Sequence, residues 1–334
     1  MEHPVIQKRR DYGTKDELVQ HLKKNGITVP DDRQLLHTGY YHGYKGYRFF
    51  REYDCRLPFS SYEEIYATIT FDTQLKSLFY GKVMYLETAL KSIAGETIVQ
   101  IMDSSDMRVM YDTVVQSYQN ANQGASGNRR EVLQQRKLNL QSVISRAIQK
   151  AYQNRDPKIT HFYTSTKYRG IPLWAVIEVL TLGDFAYLLS CLDWKTRDRI
   201  SQEIGLNLQF DSEREMLHQS VQLLRDLRNA IAHNDVIYDT RFHPQGPPRS
   251  LRQCIQQEIG LESFTLYPVE DYLIFLCYFL FLLGSPSETL SSFLSDFCRE
   301  RRQYQNAVGK RIAAYTMDPN FEGRMQSLKD YLKG

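Results

Sequence analysis

The chain has 334 residues, 42% of them hydrophobic and 24% charged, with a formal net charge of +3. That is the balance of an ordinary folded protein with a sizeable core, and its mild positive charge permits a nucleic-acid partner without requiring one. The 5 cysteines (Cys55, Cys191, Cys254, Cys277 and Cys298) lack the paired spacing of zinc sites, which excludes a metal-stapled scaffold and points to reduced core thiols.

Met1 leads directly into Lys8-Arg9-Arg10-Asp11 with no apolar stretch, so export is not expected and the predicted compartment is the cytoplasm. Thr14 and Glu17 form a capping box for a helix that should stop at Asn25-Gly26. Pro30-Asp31-Asp32 opens a second helix with Leu36, Tyr40, Tyr44 and Tyr47 on one side. Such a stripe either fills a core or, with His42, Arg48 and Arg51 beside it, stacks on RNA bases. Residues 1–58 are therefore expected to form an N-terminal helix–turn–helix segment that contacts RNA or supports a dimer. After Pro58, Ser61 and Glu64 cap a long helix through Ile65, Ile69, Asp72, Leu75 and Leu78, which Gly81 is expected to break or kink before Val83–Ile101. Glu87 reads either as a buried partner for an arginine or as a solvated carboxylate.

Residues 116–128 are small and polar, a loop signature. The following stretch is one-sidedly basic: Arg129, Arg130, Arg136, Lys137, Arg146, Lys150, Arg155 and Lys158 face only Glu131 and Asp156. Val132, Leu133, Leu140, Val143, Ile144 and Ile148 place most of it on an amphipathic helix, whose charged face is either simply solvated or binds phosphate. Pro172 opens a helix from Leu173 to Leu182 with Trp174, Ile177 and Leu180 as core positions, and Glu178 interrupts that apolar run. Gly183-Asp184 and Thr196–Ile204 begin further helices.

Ser212 and Glu215 suggest a capping box for a helix whose Leu217, Leu224, Leu227 and Ile231 form one apolar stripe. Beside that stripe, Arg225, Arg228, Asn229, Ala232 and His233 follow one another around a single flank. A plain solvated face would more often mix Glu and Lys, so this flank is the candidate site. The structural alternative is a helix end whose histidine relieves the C-terminal dipole. From Asn234 to Pro248 an exposed loop is expected. Tyr272–Leu283 is too short to span a bilayer and reads as a buried central helix. Arg299, Arg301, Arg302, Lys310 and Arg311 form a second basic cluster. Few segments alternate as strands do and no internal repeat is present, so the predicted class is all-α. Residues 59–243 are expected to hold the core with the site, and residues 244–334 a helical extension completing it.

Arg228-Asn229-Ala230-Ile231-Ala232-His233, at the end of an amphipathic helix, resembles the Arg–His motif of HEPN-domain ribonucleases. Gly39-Tyr40-Tyr41 with Gly46-Tyr47, Phe71-Asp72 with Leu75, Glu87 with Lys91, and Pro172-Leu173-Trp174-Ala175-Val176-Ile177-Glu178 resemble, in the same order, the abortive-infection (Abi) family of antiphage proteins. The resemblance implies a HEPN-like helical bundle and a metal-independent endoribonuclease acting as an antiphage or toxin effector. In that reading His233 serves as general acid or base, Arg228 holds the scissile phosphate, and Asn229 positions an oxygen or the histidine. Arg225 and Glu178 support them, with Glu178 as a partner for the arginine. Attack by the RNA's own 2′-OH would leave a 2′,3′-cyclic phosphate, and no cofactor or metal is called for. RNA contacts are expected at Arg48, Arg129, Arg130, Arg136, Lys137, Arg301 and Arg302. The implied partners are an RNA substrate, a small non-coding RNA antitoxin and a second copy of the chain, with no membrane. Lys76, Lys91 and His42 stand where the family tends to have arginine, which loses the bidentate fork. Asp235 replaces the tyrosine found in toxins silenced by nucleotide transfer, so a nucleotidyltransferase antitoxin is not expected. A non-catalytic RNA-binding or regulatory helical protein is the alternative, and a protein-interaction module a third reading.

Overall fold

The structure, a computed structural model, describes residues 14–29, 31–39, 41–52, 54–116, 127–164 and 170–333. The expectations for the basic N-terminus, Pro30, Tyr40 and most of the polar loop at 116–128 lie outside them. The first helices are α1 (Lys15–Lys24), α2 (Arg33–Thr38), α3 (Tyr62–Met102), α4 (Met107–Thr113), α5 (Gly127–Gln153), α6 (Pro157–Thr164) and α7 (Leu173–Val179). They are followed by α8 (Leu182–Cys191), α9 (Trp194–Ile204), α10 (Met216–Ala232), α11 (Arg249–Ile259), α12 (Val269–Leu282), α13 (Ser287–Thr316) and α14 (Phe321–Tyr331). Only isolated bridges, no strands, occur among the described residues. The class is all-α.

Helix α3 is the axis. Its 41 residues span roughly 60 Å at 1.5 Å per residue. Ser61 and Glu64 form the expected capping box, each side chain bonded to the other's backbone N–H. Gly81 does not interrupt the helix. It is exposed and meets nothing that a side chain would strike, so it costs only propensity, about 1 kcal/mol against alanine. Helices α7, α9, α10, α12 and α13 pack around α3, burying Phe71, Leu75, Phe79, Val83, Leu86, Leu90, Ala94 and Ile98. α12 is buried from Val269 through Leu280, the all-round apolar helix that its composition predicts. One continuous buried cluster reaches from Leu18 to Leu332 and draws on all three sequence segments.

Several local readings change in the tertiary context. The predicted Leu173–Leu182 helix is two helices, because Leu180 and Thr181 are extended and the Thr181 side chain caps α8 by accepting from Asp184 N–H. Trp174 is 52% exposed rather than core, lying edge-on to Phe162 at 5.6 Å. α10 is not capped by Ser212 and Glu215. Buried Asp211 does that work: its carboxylate accepts from Glu215 N at 2.9 Å and Met216 N at 3.2 Å. On α2, Leu35 is buried and Leu36 is 65% exposed, so the apolar side is one residue out of register with the prediction.

Candidate functional site

α10 lays Leu217, Val221, Leu224 and Leu227 into the core, with Ile231 half-buried at its end. It packs against α8 and α3 through this stripe. Arg225, Arg228 and Asn229 are half-buried along the neighbouring flank, and Ala232 and His233 are exposed. His233 is the C-cap, its N–H donating to the Asn229 carbonyl. The residue is exposed, and no described residue hydrogen-bonds its ring.

Arg228 is anchored from beneath. Its Nη1 donates to Asn229 Oδ1 at 3.0 Å, and its Nε lies 3.8 Å from Glu87 Oε2. Glu87 is buried on α3, and its other oxygen accepts from Lys91 Nζ at 2.9 Å. Lys91 also donates to the Leu180 carbonyl at 2.7 Å, closing the C-terminal end of α7. Glu87, one of the two readings left open by the sequence, is thus a buried partner of an arginine. Glu178 is not that arginine's partner. It is exposed on α7, 4.0 Å from Lys158, because its helix turns that position outward.

A second anchor holds the chain just beyond His233. Asn234 adopts φ +57°, a left-handed turn that asparagine tolerates. Its Oδ1 accepts from Lys76 Nζ at 2.8 Å, and Lys76 pairs with Asp72 at 2.7 Å. Asp72 is fully buried and saturated: Oδ1 accepts from the N–H groups of Ile237 and Tyr238 at 2.7 Å each, and Oδ2 accepts from Tyr47 at 2.8 Å. Burial pushes this carboxyl's pKa up, while Lys76 and the hydrogen bonds oppose the rise. Farther along, buried Asp239 accepts from Arg51 N at 2.8 Å and from Arg241 Nε at 2.7 Å. Arg51 also reaches the Asp239 and Tyr267 carbonyls at 3.1 and 3.2 Å. The segment after His233 is therefore exposed only in part: Asn234, Asp235 and residues 244–246 are exposed as expected, but the stretch between them is not. Ile237, Tyr238, Asp239 and Thr240 are all buried, because α3 and the N-terminal segment satisfy their backbone.

Arg225 is tied to Asp226 at 2.8 and 2.6 Å, and Asp226 meets His243 Nδ1 at 2.9 Å. Burial works against ionising Asp226, but the contacts from His243 and Arg225 outweigh it and hold the carboxyl below its usual range. Arg225 thus rests in a local ion pair beside the motif.

The predicted RNA contacts divide sharply. Arg129 and Arg130 at the start of α5, and Arg302 on α13, are exposed. Arg136 instead donates to the Ser190 carbonyl at 3.0 Å, capping α8, and Lys137 pairs with Asp112 at 3.0 Å. Arg301 lies between Glu270 at 3.1 Å and the Asp318 carbonyl at 2.9 Å, over the Phe321 ring. Arg48 sits over Phe49 with its Nε buried. Arg136, Lys137 and Arg301 are internal clips, and Arg48 is half-buried against aromatic rings, so none of the four forms a free cationic surface. The tyrosine stripe resolves toward the core, with Tyr44 and Tyr47 buried. The sequence carries one signal for the anchors: two acid–lysine pairs at i,i+4, Asp72/Lys76 and Glu87/Lys91, inside a largely apolar helix. Nothing local marks Asn234, Asp239 or Arg51.

Among the described residues no group of three or more His, Cys, Asp or Glu side chains could hold a metal ion, and no helix is long and apolar enough to cross a membrane. A family model described as Abi-like protein matches residues 33–239, from the start of α2 to the buried turn behind His233. No curated protein and no solved structure matches the chain.

Proposed function

The chain belongs to the Abi-like protein family, and from that premise we propose that it is a metal-independent endoribonuclease of HEPN type, acting as an abortive-infection effector. The observation that carries the reading is the pairing of an exposed His233, whose ring no described residue hydrogen-bonds, with an Arg228 on the same flank that lies 3.8 Å from a buried carboxylate. Both lie on rigid backbone, since Lys76 and Asp72 clamp the turn that follows. Preorganisation of this kind favours charge stabilisation in a transition state.

In this mechanism the nucleophile is the substrate's own 2′-OH. His233 removes its proton or protonates the departing 5′-oxygen, roles suited to an imidazole near neutral pH. The Arg228 edge not engaged by Asn229 and Glu87 neutralises charge developing on the non-bridging phosphate oxygens. Asn229 orients that guanidinium. Cleavage of this class needs a proton taken at one oxygen and another given elsewhere, and one imidazole is sparse provision for both. A second copy of the chain, approaching over exposed Ala232 about a two-fold axis, would supply the other histidine.

The test is cleavage of generic single-stranded RNA in EDTA. The wild-type chain should yield 2′,3′-cyclic phosphate and 5′-hydroxyl ends, and His233→Ala should yield none while melting at the wild-type temperature. The competing reading is a non-catalytic RNA-binding protein, and it draws on the same Arg228, whose guanidinium is partly neutralised by Glu87. Tight RNA binding by both proteins with no cleavage by either would establish it instead.

A further inference from the structure

Away from the motif, a cleft of about 340 Å³ opens between α13 and α14, its walls including Cys298, Arg299, Arg302, Gln303, Asn306 and Lys329. The α13 members recur at helical spacing, so one face of that helix is turned to the cleft. Among the described residues no carboxylate lines it. Arg299 is neutralised by Asp296 and Glu300 at 2.6 and 3.1 Å. Arg302 and Lys329 are exposed, and neither makes an ion pair or hydrogen bond with a described residue. Two uncompensated cations from different helices thus converge on one cavity, beside two side-chain amides.

We propose that this cleft binds a phosphorylated ligand of about mononucleotide size, with Arg302 and Lys329 on the phosphate and Gln303 and Asn306 on the base or sugar. The cation pair selects an anion, and the fork of Arg302 suits phosphate oxygens, where Lys329 adds a point charge. The amides supply both donors and acceptors, which a bare inorganic anion would leave half used. The cavity is also larger than a lone phosphate fills. The phosphate can come from a free nucleotide or from an RNA end, and both present the same group to the same two cations.

Cys298 in the wall makes the site testable without any enzymatic readout. Burial raises its thiol pKa, Glu322 adds to that rise, and Lys329 and the nearby arginines oppose it. A bound phosphate would both cover the sulfur and cancel the cations that favour its thiolate, so alkylation should slow. The full chain is treated with iodoacetamide and modification is read peptide by peptide, with half-buried Cys55 as the internal reference. Adenosine 5′-monophosphate should slow Cys298 saturably and leave Cys55 unchanged, whereas adenosine should protect neither. Arg302→Gln and Lys329→Gln should each raise the half-protecting concentration about tenfold, the loss of one charge-assisted contact. Protection by a 5′-phosphorylated oligoribonucleotide at far lower concentration than the nucleotide would assign the phosphate to RNA, and the reverse order to a free nucleotide. If neither probe protects Cys298, or protection is unchanged in both variants, the proposal fails.

Discussion

Helix α3 carries two buried acid–lysine pairs of identical spacing, and they are finished differently. Asp72 and Lys76 form a closed unit: both carboxylate oxygens are occupied, by two backbone N–H groups, a tyrosine and the lysine, and the lysine has Asn234 as a second acceptor. Glu87 and Lys91 form an open one. Lys91 is shared with the Leu180 carbonyl, but among the described residues Glu87 Oε2 has no hydrogen bond and only Arg228 near it, at 3.8 Å. A saturated buried pair behaves as a lock, since losing any member orphans several others. A buried carboxylate with one idle oxygen can still accept a better-placed donor. The lock holds the turn behind His233; the open pair sits under Arg228, the residue proposed to meet an incoming phosphate.

The largest expected effect is therefore at the lock. Asp72→Ala leaves two backbone N–H groups and the Tyr47 hydroxyl without an acceptor and Lys76 without its counter-charge, with only Asn234 left to it, and urea denaturation should show a loss of about 3–5 kcal/mol. Glu87→Gln is smaller, about 1–3 kcal/mol, because Lys91 keeps the Leu180 carbonyl and the amide oxygen can still accept. Equal losses at the two sites would break the distinction between a closed and an open pair. His233→Ala should change stability by less than about 0.5 kcal/mol, as expected of an exposed side chain away from such features. A larger loss there would make His233 a structural cap.

A pH series sharpens the same contrast by removing a confounding slope. His218, at the other end of α10, is pushed down to about 4 from 6.5 by burial first and then by Arg197 and Arg136. Its folded pKa lies below its unfolded value, so between these two values the unfolded chain binds more protons and stability falls as pH falls. Above pH 6.5 the effect is absent. His218→Gln should flatten the stability profile between about pH 4 and 6.5 while leaving Asp72→Ala as damaging as before at pH 7. A profile unchanged by His218→Gln would place the acid sensitivity elsewhere.

What the sequence determined by itself is what short range decides. The caps at Thr14 and Ser61, the stripe of α10, the all-round apolar α12 and the all-α class follow from periodicities and end signals spanning a few residues. So does the placing of Arg228 and His233 off the buried stripe, which the structure keeps half-buried and exposed. The tertiary structure alone decided which charges are free. Arg136 and Arg302 look alike in sequence, yet one caps α8 and the other stands in the wall of a cleft. A long cationic side chain reaches whatever acceptor another element brings near it, and that element can lie dozens of residues away. The turn after His233 is the same case: its polar composition reads as solvent-exposed, but Asp72, Lys76 and Arg51 satisfy its backbone and side chains from far along the chain. Burial of a polar segment depends on partners, and partners are set by packing.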